Sequence, residues 1–510
     1  MATKKQKKIK LKEQRVLIVG GGIAGLEAAR QLQEIMELSS SPLHVTLLEH
    51  KSRMGGRVHT MRTSPNTFYE AGASRIASTH SRVNDLVNLF HLKPIYNTPQ
   101  HNPQQQLIKT FEKIRDKFIQ TYDSEMMQHV TWKDILYEMC ASEEGANQYI
   151  KQWGFVSMIS NMNAYDFWKY AIPHYCAPQY YTLENGLYSL IEALHTHIQS
   201  HPYAKKVDIR LQATLEEIIE DQSGKYVAKW NEMNNHSREK MFDVVFLAIP
   251  TDALKPIKGL PPSLTSKLNA VSCNSLLRCY VKIDNKKISP NYQAASRTIL
   301  RRALPSNDPQ WIQVSYTDHD PSKHLYNMLT TPHGERFLKT HATPVVKKWS
   351  EMDLHFWKAG THSWLPKQHA DCNYDSILQP DPTKPLFVIG SCFSHAQHWM
   401  EGALETAGDA VMALRRLWRA SRQHSRGNNN QCQYNIPDKK WSLEAVKTNH
   451  YVIYENRVFD ISNIVPLHPG GAKILENMKG ENITRAFHGV RHSHAAKAWL
   501  EQHCIGYLHQ

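Results

Sequence analysis

Val16-Leu-Ile-Val-Gly20-Gly21-Gly22-Ile23-Ala24-Gly25-Leu26-Glu27-Ala28-Ala29 leads, after one helix-length segment, to Leu47-Leu48-Glu49-His50-Lys51-Ser52-Arg53-Met54-Gly55-Gly56-Arg57. An apolar run, a Gly-x-Gly-x-x-Gly turn, a helix-like stretch and a second apolar run ending in an acid form the dinucleotide-binding βαβ pattern. Gly20 serves the tight turn, Gly22 lets backbone approach a pyrophosphate, and Gly25 lets helix and strand pack closely. Ile23 and Ala24 open the helix, whose free N–H groups and dipole favour phosphate. Glu49, 24 residues after Gly25, is placed to accept ribose hydroxyls.

The continuation narrows the dinucleotide. Arg53-x-Gly55-Gly56-Arg57 directly after Glu49 resembles the flavin amine oxidase family, in which these glycines and the second arginine close over the FAD pyrophosphate. The resemblance implies an α/β chain: a Rossmann-like FAD-binding domain interrupted by an α+β substrate domain with a helical cap. Phe68-Tyr69-Glu70-Ala71-Gly72-Ala73-Ser74-Arg75-Ile76 is similar to the segment that passes beside the flavin ring, so Gly72, Ala73 and Ser74 join the cofactor-binding set. Within the family this segment is closest to L-amino acid and tryptophan oxidases, which carry an arginine at the position of Arg75. A planar guanidinium can grip an α-carboxylate with two parallel hydrogen bonds. A structural ion pair or a contact to the FAD phosphates is the alternative for Arg75.

Residues 81–154 carry helical periodicity, with Val83, Leu86, Val87 and Phe90, and then Leu107, Phe111, Ile114 and Phe118, at helical spacing. This reads as the cap, its aromatics core rather than ligand contacts. Residues 163–181 are rich in Tyr, Phe and Trp, some of them candidates to line a pocket. A helix from Glu184 to near Ser200, a strand at 207–211 and a buried strand at 243–249 follow. The resemblance brings backbone near Leu215 to the adenine.

Five further positions follow from the resemblance. Arg278, in Leu276-Leu277-Arg278-Cys279-Tyr280-Val281, stands where many members have a lysine that holds a water near flavin N5 and is implicated in oxygen reactivity. Arginine stays charged at any ordinary pH, which weakens the case for fast reaction with O₂. His362, in Phe356-Trp357-Lys358-Ala359-Gly360-Thr361-His362, falls at one wall of the aromatic cage, and Trp399 at the other. Leu386-Phe387-Val388-Ile389-Gly390-Ser391, then His398-Trp399-Met400-Glu401-Gly402, close the cofactor domain, with Met400 at a helix start facing the flavin. Ser391 replaces the usual acid that bonds the flavin's sugar-alcohol chain.

Residues 415–435 turn polar and lose periodicity, the pattern of a helix end and a linker. Beyond it, Trp441 to Leu508 resembles a complete cytochrome b5 haem domain. It carries Tyr451-Val-Ile-Tyr-Glu-Asn-Arg-Val-Phe-Asp460, then Leu467-His468-Pro469-Gly470-Gly471, then Phe487-His488-Gly489-Val490-Arg491-His492-Ser493. The resemblance makes His468 and His492 the two axial ligands of haem b, giving a six-coordinate iron that carries electrons and binds no substrate. His488, His494 and His503 read as surface or core histidines.

Composition sets the outer bounds. The 510 residues, 41% of them hydrophobic, suffice for two or three domains. Net charge is +14, from 61 Lys and Arg against 47 Asp and Glu, part of it in a lysine-rich start at residues 1–12. Such a tail is either a solvated end or a contact to an anionic surface; no nucleic-acid partner is expected. The first strand begins by Val16, so neither a cleaved leader nor a C-terminal membrane anchor is expected. No apolar run reaches about 18 residues, so no membrane span is expected. Eight scattered cysteines without a Cys-x-x-Cys read as free thiols in a reducing, cytoplasmic setting.

The expected organisation is a basic tail (1–14), a discontinuous FAD-binding domain (15–80, 205–258, 380–417), a substrate and cap domain (81–204, 259–379), a linker (418–437) and the haem domain (438–510). The function implied is FAD-dependent oxidative deamination of an L-amino acid, with electrons passed to the haem or another one-electron acceptor, or to O₂. Two alternatives stand beside it: a primary amine or polyamine oxidase, and a catalytically inactive flavin and haem electron carrier or sensor.

Overall fold

The computed structural model describes residues 13–39, 42–65, 67–96, 103–233, 236–283, 304–305, 307–318, 321–334, 336–337, 349–424, 439–465, 472–489, 499–500 and 503–509. The chain is a mixed α/β structure. Its organising element is β1 (Gln14–Val19), followed by α1 (Ile23–Ser39) and β2 (Leu43–Glu49). Val16, Leu17 and Ile18 are fully buried, as expected of a strand covered on both faces.

β1 pairs in parallel with β2 on one side (Val16↔Val45) and with Val244–Leu247 on the other (Val16↔Val244). Val207–Leu211 and Leu386–Val388 complete a five-stranded parallel sheet, one at each edge. Five strands drawn from positions 14 to 388 thus form one layer. α1, Tyr188–Ser200 and Met400–His424 contribute to one hydrophobic core with it, through Leu26, Ala29, Leu32, Leu190, Leu194, Leu404 and Val411. The close approach of helix to strand rests on glycine: a Cβ on Gly25 would lie 2.0 Å from the Gly20 carbonyl oxygen. Gly20 itself has φ +108°, and a Cβ there would meet Ala248 O at 2.4 Å.

A second, antiparallel sheet contains Trp311–Asp318, Val271–Lys282 and Glu351–Trp364 side by side, with Leu304–Pro305 at its edge. Against it lies a helical layer with Pro103–Tyr122, Trp132–Met139, Glu143–Trp153 and Val156–Asn161. Phe111, Trp132, Trp153 and Phe167 are fully buried there, so these aromatics are core, as the periodicity indicates. Thr131 and Asp134 form a reciprocal capping box at the start of Trp132–Met139.

Buried Asp166 ties this layer to the following domain segment. Its Oδ2 accepts from Asn163 Nδ2 (2.8 Å) and from the backbone N–H of Ala370 (2.9 Å). Burial nevertheless pushes its carboxyl up to about 7.

Helix Met400–His424 runs seven residues past Leu417, where the polar turn of the sequence suggested a linker. Arg, Lys, Gln and Ala are good helix formers, and Arg415-Arg-Leu-Trp-Arg-Ala-Ser-Arg-Gln-His424 contains no glycine or proline to stop it. Near the C-terminus, Val452–Tyr454 and Arg457–Phe459 form the expected hairpin. Its turn residues, Glu455 (φ +46°) and Asn456 (φ +66°), take the left-handed pair of a two-residue loop. Cys504–Leu508 and Lys440–Trp441 extend this sheet over a small core of Val452, Phe459, Ile461 and Ile464. No disulfide joins any of the seven described cysteines. Among the described residues no helix is long and apolar enough to cross a membrane.

Two outcomes test this architecture. Gly25→Ala should cost about 1–3 kcal/mol through overpacking, whereas Gly22→Ala, which adds a methyl group with nothing within 4 Å, should leave the melting temperature of the cofactor-free protein unchanged. Folded Asp166 holds its proton to about pH 7, whereas the unfolded chain releases it near the ordinary aspartate value of 3.8. The wild-type chain therefore loses stability from this group as pH rises between those values. Asp166→Asn has no such titration, so denaturant midpoints at several pH values should show the difference moving in the variant's favour from pH 4 to 7.

Candidate functional site

The turn after β1 is an open cradle. Gly22 has free space where a side chain would stand, at the N-terminus of α1. Glu49, at the end of β2, is buried and anchors the turn: its Oε2 accepts from Gly21 N (2.7 Å) and its Oε1 from Lys51 N (2.8 Å). Gly55 N donates to Gly21 O at 2.8 Å, laying the second glycine loop against the first. Ile23 and Ala24 are buried in the first turn of α1. Ala213 N donates to Glu49 O (2.9 Å), which brings the strand containing Leu215 to the end of β2. The geometry thus gathers the glycine turn, Glu49 and the backbone near Leu215 at one sheet end.

The two arginines of the loop separate in role. Arg53 donates to the carbonyls of Met54 and Gly56, both at 3.0 Å, and so ties its own loop together. Arg57 reaches outward, its Nη2 donating to Ser391 Oγ (2.9 Å) and its Nη1 to His362 Nδ1 (2.9 Å). Among the described residues no carboxylate pairs with Arg57. An open glycine cradle beside a guanidinium held only by neutral groups fits a phosphate-bearing cofactor.

Beyond Arg57 lies a cavity of about 180 Å³. Ala73, Ser74 and Arg75 line it from one segment, Trp399 and Met400 from the start of the long helix, and Arg278 from the antiparallel sheet. Six of the sequence-predicted residues, Ala73, Ser74, Arg75, Arg278, Trp399 and Met400, therefore share one space. The Arg75 guanidinium lies 4.4 Å from the Tyr180 ring centre, 5.7 Å from Trp399 and 5.9 Å from Tyr175. It has no hydrogen-bond or ion-pair partner among the described residues. From Tyr175 the wall continues through Phe155 (5.5 Å) to Tyr316 (5.4 Å), over which the Arg278 guanidinium stacks at 5.1 Å. Arg278 is buried, donates Nη1 to the Glu70 carbonyl (2.9 Å), and keeps its Nε without a protein partner. Trp399 Nε1 is likewise buried and unpartnered. Burial raises the Glu70 carboxyl itself to about 7.

His362 departs from its expected place. Side chains alternate along the strand Glu351–Trp364, so Thr361 lines the cavity and fully buried His362 turns away to Arg57. The aromatic wall opposite the helix is built instead from Tyr175, Phe155 and Tyr316. Gly72 sits below the cavity, where a Cβ would lie 1.9 Å from Arg57 O.

Sequence reasoning missed Ser157, Asp318 and His398. Asp318 is fully buried and caps Val156–Asn161 from a distance, accepting from Ser157 N at 2.9 Å and Ser157 Oγ at 2.5 Å. It lies on a strand without a motif. His398 left a clearer signal, since it directly precedes Trp399. It adopts φ +72°, unusual for a residue with a side chain, and its ring lines the cavity. Burial, with Arg57 nearby, pulls its imidazole down to about 3, so it is neutral. A second neutral pair, His80 and His174, lies behind Trp399, with Nε2 and Nδ1 3.1 Å apart. Their environment lowers both imidazoles, to about 3 and 4. Among the described residues no cluster of His, Cys, Asp or Glu could hold a metal ion. His468 and His492 lie outside the described residues.

Comparison with known proteins finds two matches along the chain. Residues 23–154 match the family described as flavin containing amine oxidoreductase, and residues 442–509 the cytochrome b5-like heme/steroid binding domain. An L-amino-acid oxidase of Siganus canaliculatus is 46% identical over 67 residues, 13% of this chain and 12% of that protein. A flavin-dependent L-tryptophan oxidase of Lentzea aerocolonigenes is 36% identical over 83 residues, 16% of each. A cytochrome b5 of Rhizopus stolonifer is 37% identical over 67 residues, 13% of this chain and 51% of that protein. The matched stretches thus span about half the length of that cytochrome and under a fifth of the two oxidases. The chain joins a flavin amine oxidoreductase segment to a cytochrome b5-like domain, and the cofactors these two matches imply are FAD and haem.

Proposed function

We propose that this chain oxidises an L-amino acid to its imino acid, which water then converts to a 2-oxo acid and ammonia. The two electrons pass one at a time through the b5-type haem to an external one-electron acceptor, with O₂ as the slower outlet giving hydrogen peroxide. The observation that carries the reading is Arg75: a guanidinium without an anionic partner among the described residues, framed by Tyr180, Trp399 and Tyr175 in the cavity that Arg278 also lines. In this reading residues 15–80, 205–258 and 380–417 make a Rossmann-like FAD-binding domain, and residues 81–204 and 259–379 the substrate domain. The linker and haem domain follow at 418–437 and 438–510.

FAD, held by the glycine turns, Glu49 and Arg57, would supply a two-electron hydride acceptor, and haem a one-electron carrier. His468 and His492 would hold the haem iron. The protein's own work is orientation. Arg75 grips the α-carboxylate with two parallel donors. The rings of Tyr180, Trp399 and Tyr175 exclude water around that grip and strengthen it. Arg278 is fixed to the Glu70 carbonyl by its Nη1, and a guanidinium where many relatives place a lysine supports the haem as main outlet.

Anaerobic mixing of the oxidised holoprotein with a panel of L-amino acids should bleach the flavin and then reduce the haem, read by absorbance. Bleaching without haem reduction would remove the electron route, and no bleaching by any of them would remove the oxidase reading. Arg75→Leu should lower kcat/KM for the best amino acid about a hundredfold, from loss of a charged hydrogen-bonded pair of about 3 kcal/mol. The same variant should change turnover of the corresponding decarboxylated amine less than about threefold. An equal loss on both substrates would show that Arg75 does not read the carboxylate.

A further inference from the structure

Three arginines wholly or partly shielded from solvent are matched in two ways. Arg30 is matched by Glu27 at 2.6 Å, and Arg82 by Glu401 at 3.3 Å. Arg57 is matched by neutral acceptors: His362 Nδ1 and Ser391 Oγ at 2.9 Å, and Gly360 O at 3.5 Å. The titratable groups around it are also uncharged. Cys273 and Cys392 are thiols whose ionisation burial suppresses, and His362 and His398 are imidazoles whose protonation burial disfavours.

The hydrogen bond to His362 fixes that ring's state. A guanidinium has only donors, so His362 Nδ1 must be unprotonated and accept. The ring proton then sits on Nε2, and a second proton would break the bond to Arg57. Position adds meaning to this. Arg57 follows Gly56, which lies against the open Gly22, and its side chain ends at Ser391, next to Gly390, where a side chain would also meet open space. The guanidinium therefore bridges two open glycine turns.

We propose that His362 is a positioning residue for Arg57: as a neutral acceptor standing where a buried arginine ordinarily meets an acid, it fixes the guanidinium while leaving its full charge for the cofactor's phosphates. A carboxylate at 362 would hold Arg57 at least as well and cancel the charge. An apolar ring would leave the charge but release the guanidinium. The proposal rests on FAD as cofactor, not on which substrate is oxidised, and its test does not use turnover.

The test compares His362→Asn, His362→Phe and His362→Asp in the full chain, reading the FAD dissociation constant by titration of the FAD-depleted protein together with its melting temperature. Asn presents an oxygen where Nδ1 stands and should bind FAD within about threefold of wild type. Phe lacks the acceptor and should bind about tenfold or more weakly, the worth of a hydrogen bond to a charged group. Asp should bind FAD about tenfold or more weakly than Asn, yet melt at the same or a higher temperature than Asn without cofactor. FAD affinity equal to wild type in Phe, or equal affinities in Asp and Asn, would overturn the proposal. If the Asp variant does not fold, the contrast between Asn and Phe still decides it.

Discussion

The structure depends on the parallel pairing of β1 with Val244–Leu247, two strands separated by more than two hundred residues of chain. That pairing presses Ala248 O against Gly20 and fixes the turn from which α1 departs. It also sets the next strand, Leu386–Val388, so that Gly390 and Ser391 emerge at the same sheet end as Gly22 and Glu49. In parallel sheets the carboxyl ends of strands are where ligands gather. Here that end collects the glycine turns, Glu49 and Arg57 before any cap residue takes part.

The long helix Met400–His424 divides two electrostatic regimes. On one side Glu401 accepts from Arg82 and from Val83 N, and Glu405 from His395, so buried charges are matched. Glu405 holds His395 above its ordinary value. On the other side, toward Met400 and the cavity, Arg57 and Arg75 are surrounded by rings, hydroxyls and neutral imidazoles. Cations without acids are costly inside a protein unless an anion arrives to complete them.

Much of this was legible in the sequence, unevenly. Val16 to Arg57 could be read almost atom by atom, because a glycine that must touch backbone leaves no freedom of residue type. Arg75 and Trp399 were found because each sits beside such a constrained turn. Asp318 and Tyr316 were not, since a strand buried between layers tolerates many residues and its facing depends on register, and Ser157 sits in a short helix without a motif. His362 shows the same limit: a shift of one residue along a strand turns a side chain from the cavity to the cofactor side. His398 carried a hint only in its neighbourhood, and its left-handed backbone is invisible in sequence because a histidine there obeys no turn rule.

The dispersed strands of the central sheet also set an order of events on the ribosome. β1 is made early, yet one neighbour, Val244–Leu247, is made only after some two hundred further residues, and the edge strand Leu386–Val388 later still. An apolar strand then waits, exposed, for its partner, a period in which aggregation competes with folding. The hairpin Val452–Tyr454 with Arg457–Phe459 closes across two residues and needs no such wait. The nascent chain thus has its slowest requirement first and its quickest last, so chaperone dependence should fall on the flavin half rather than on the haem half.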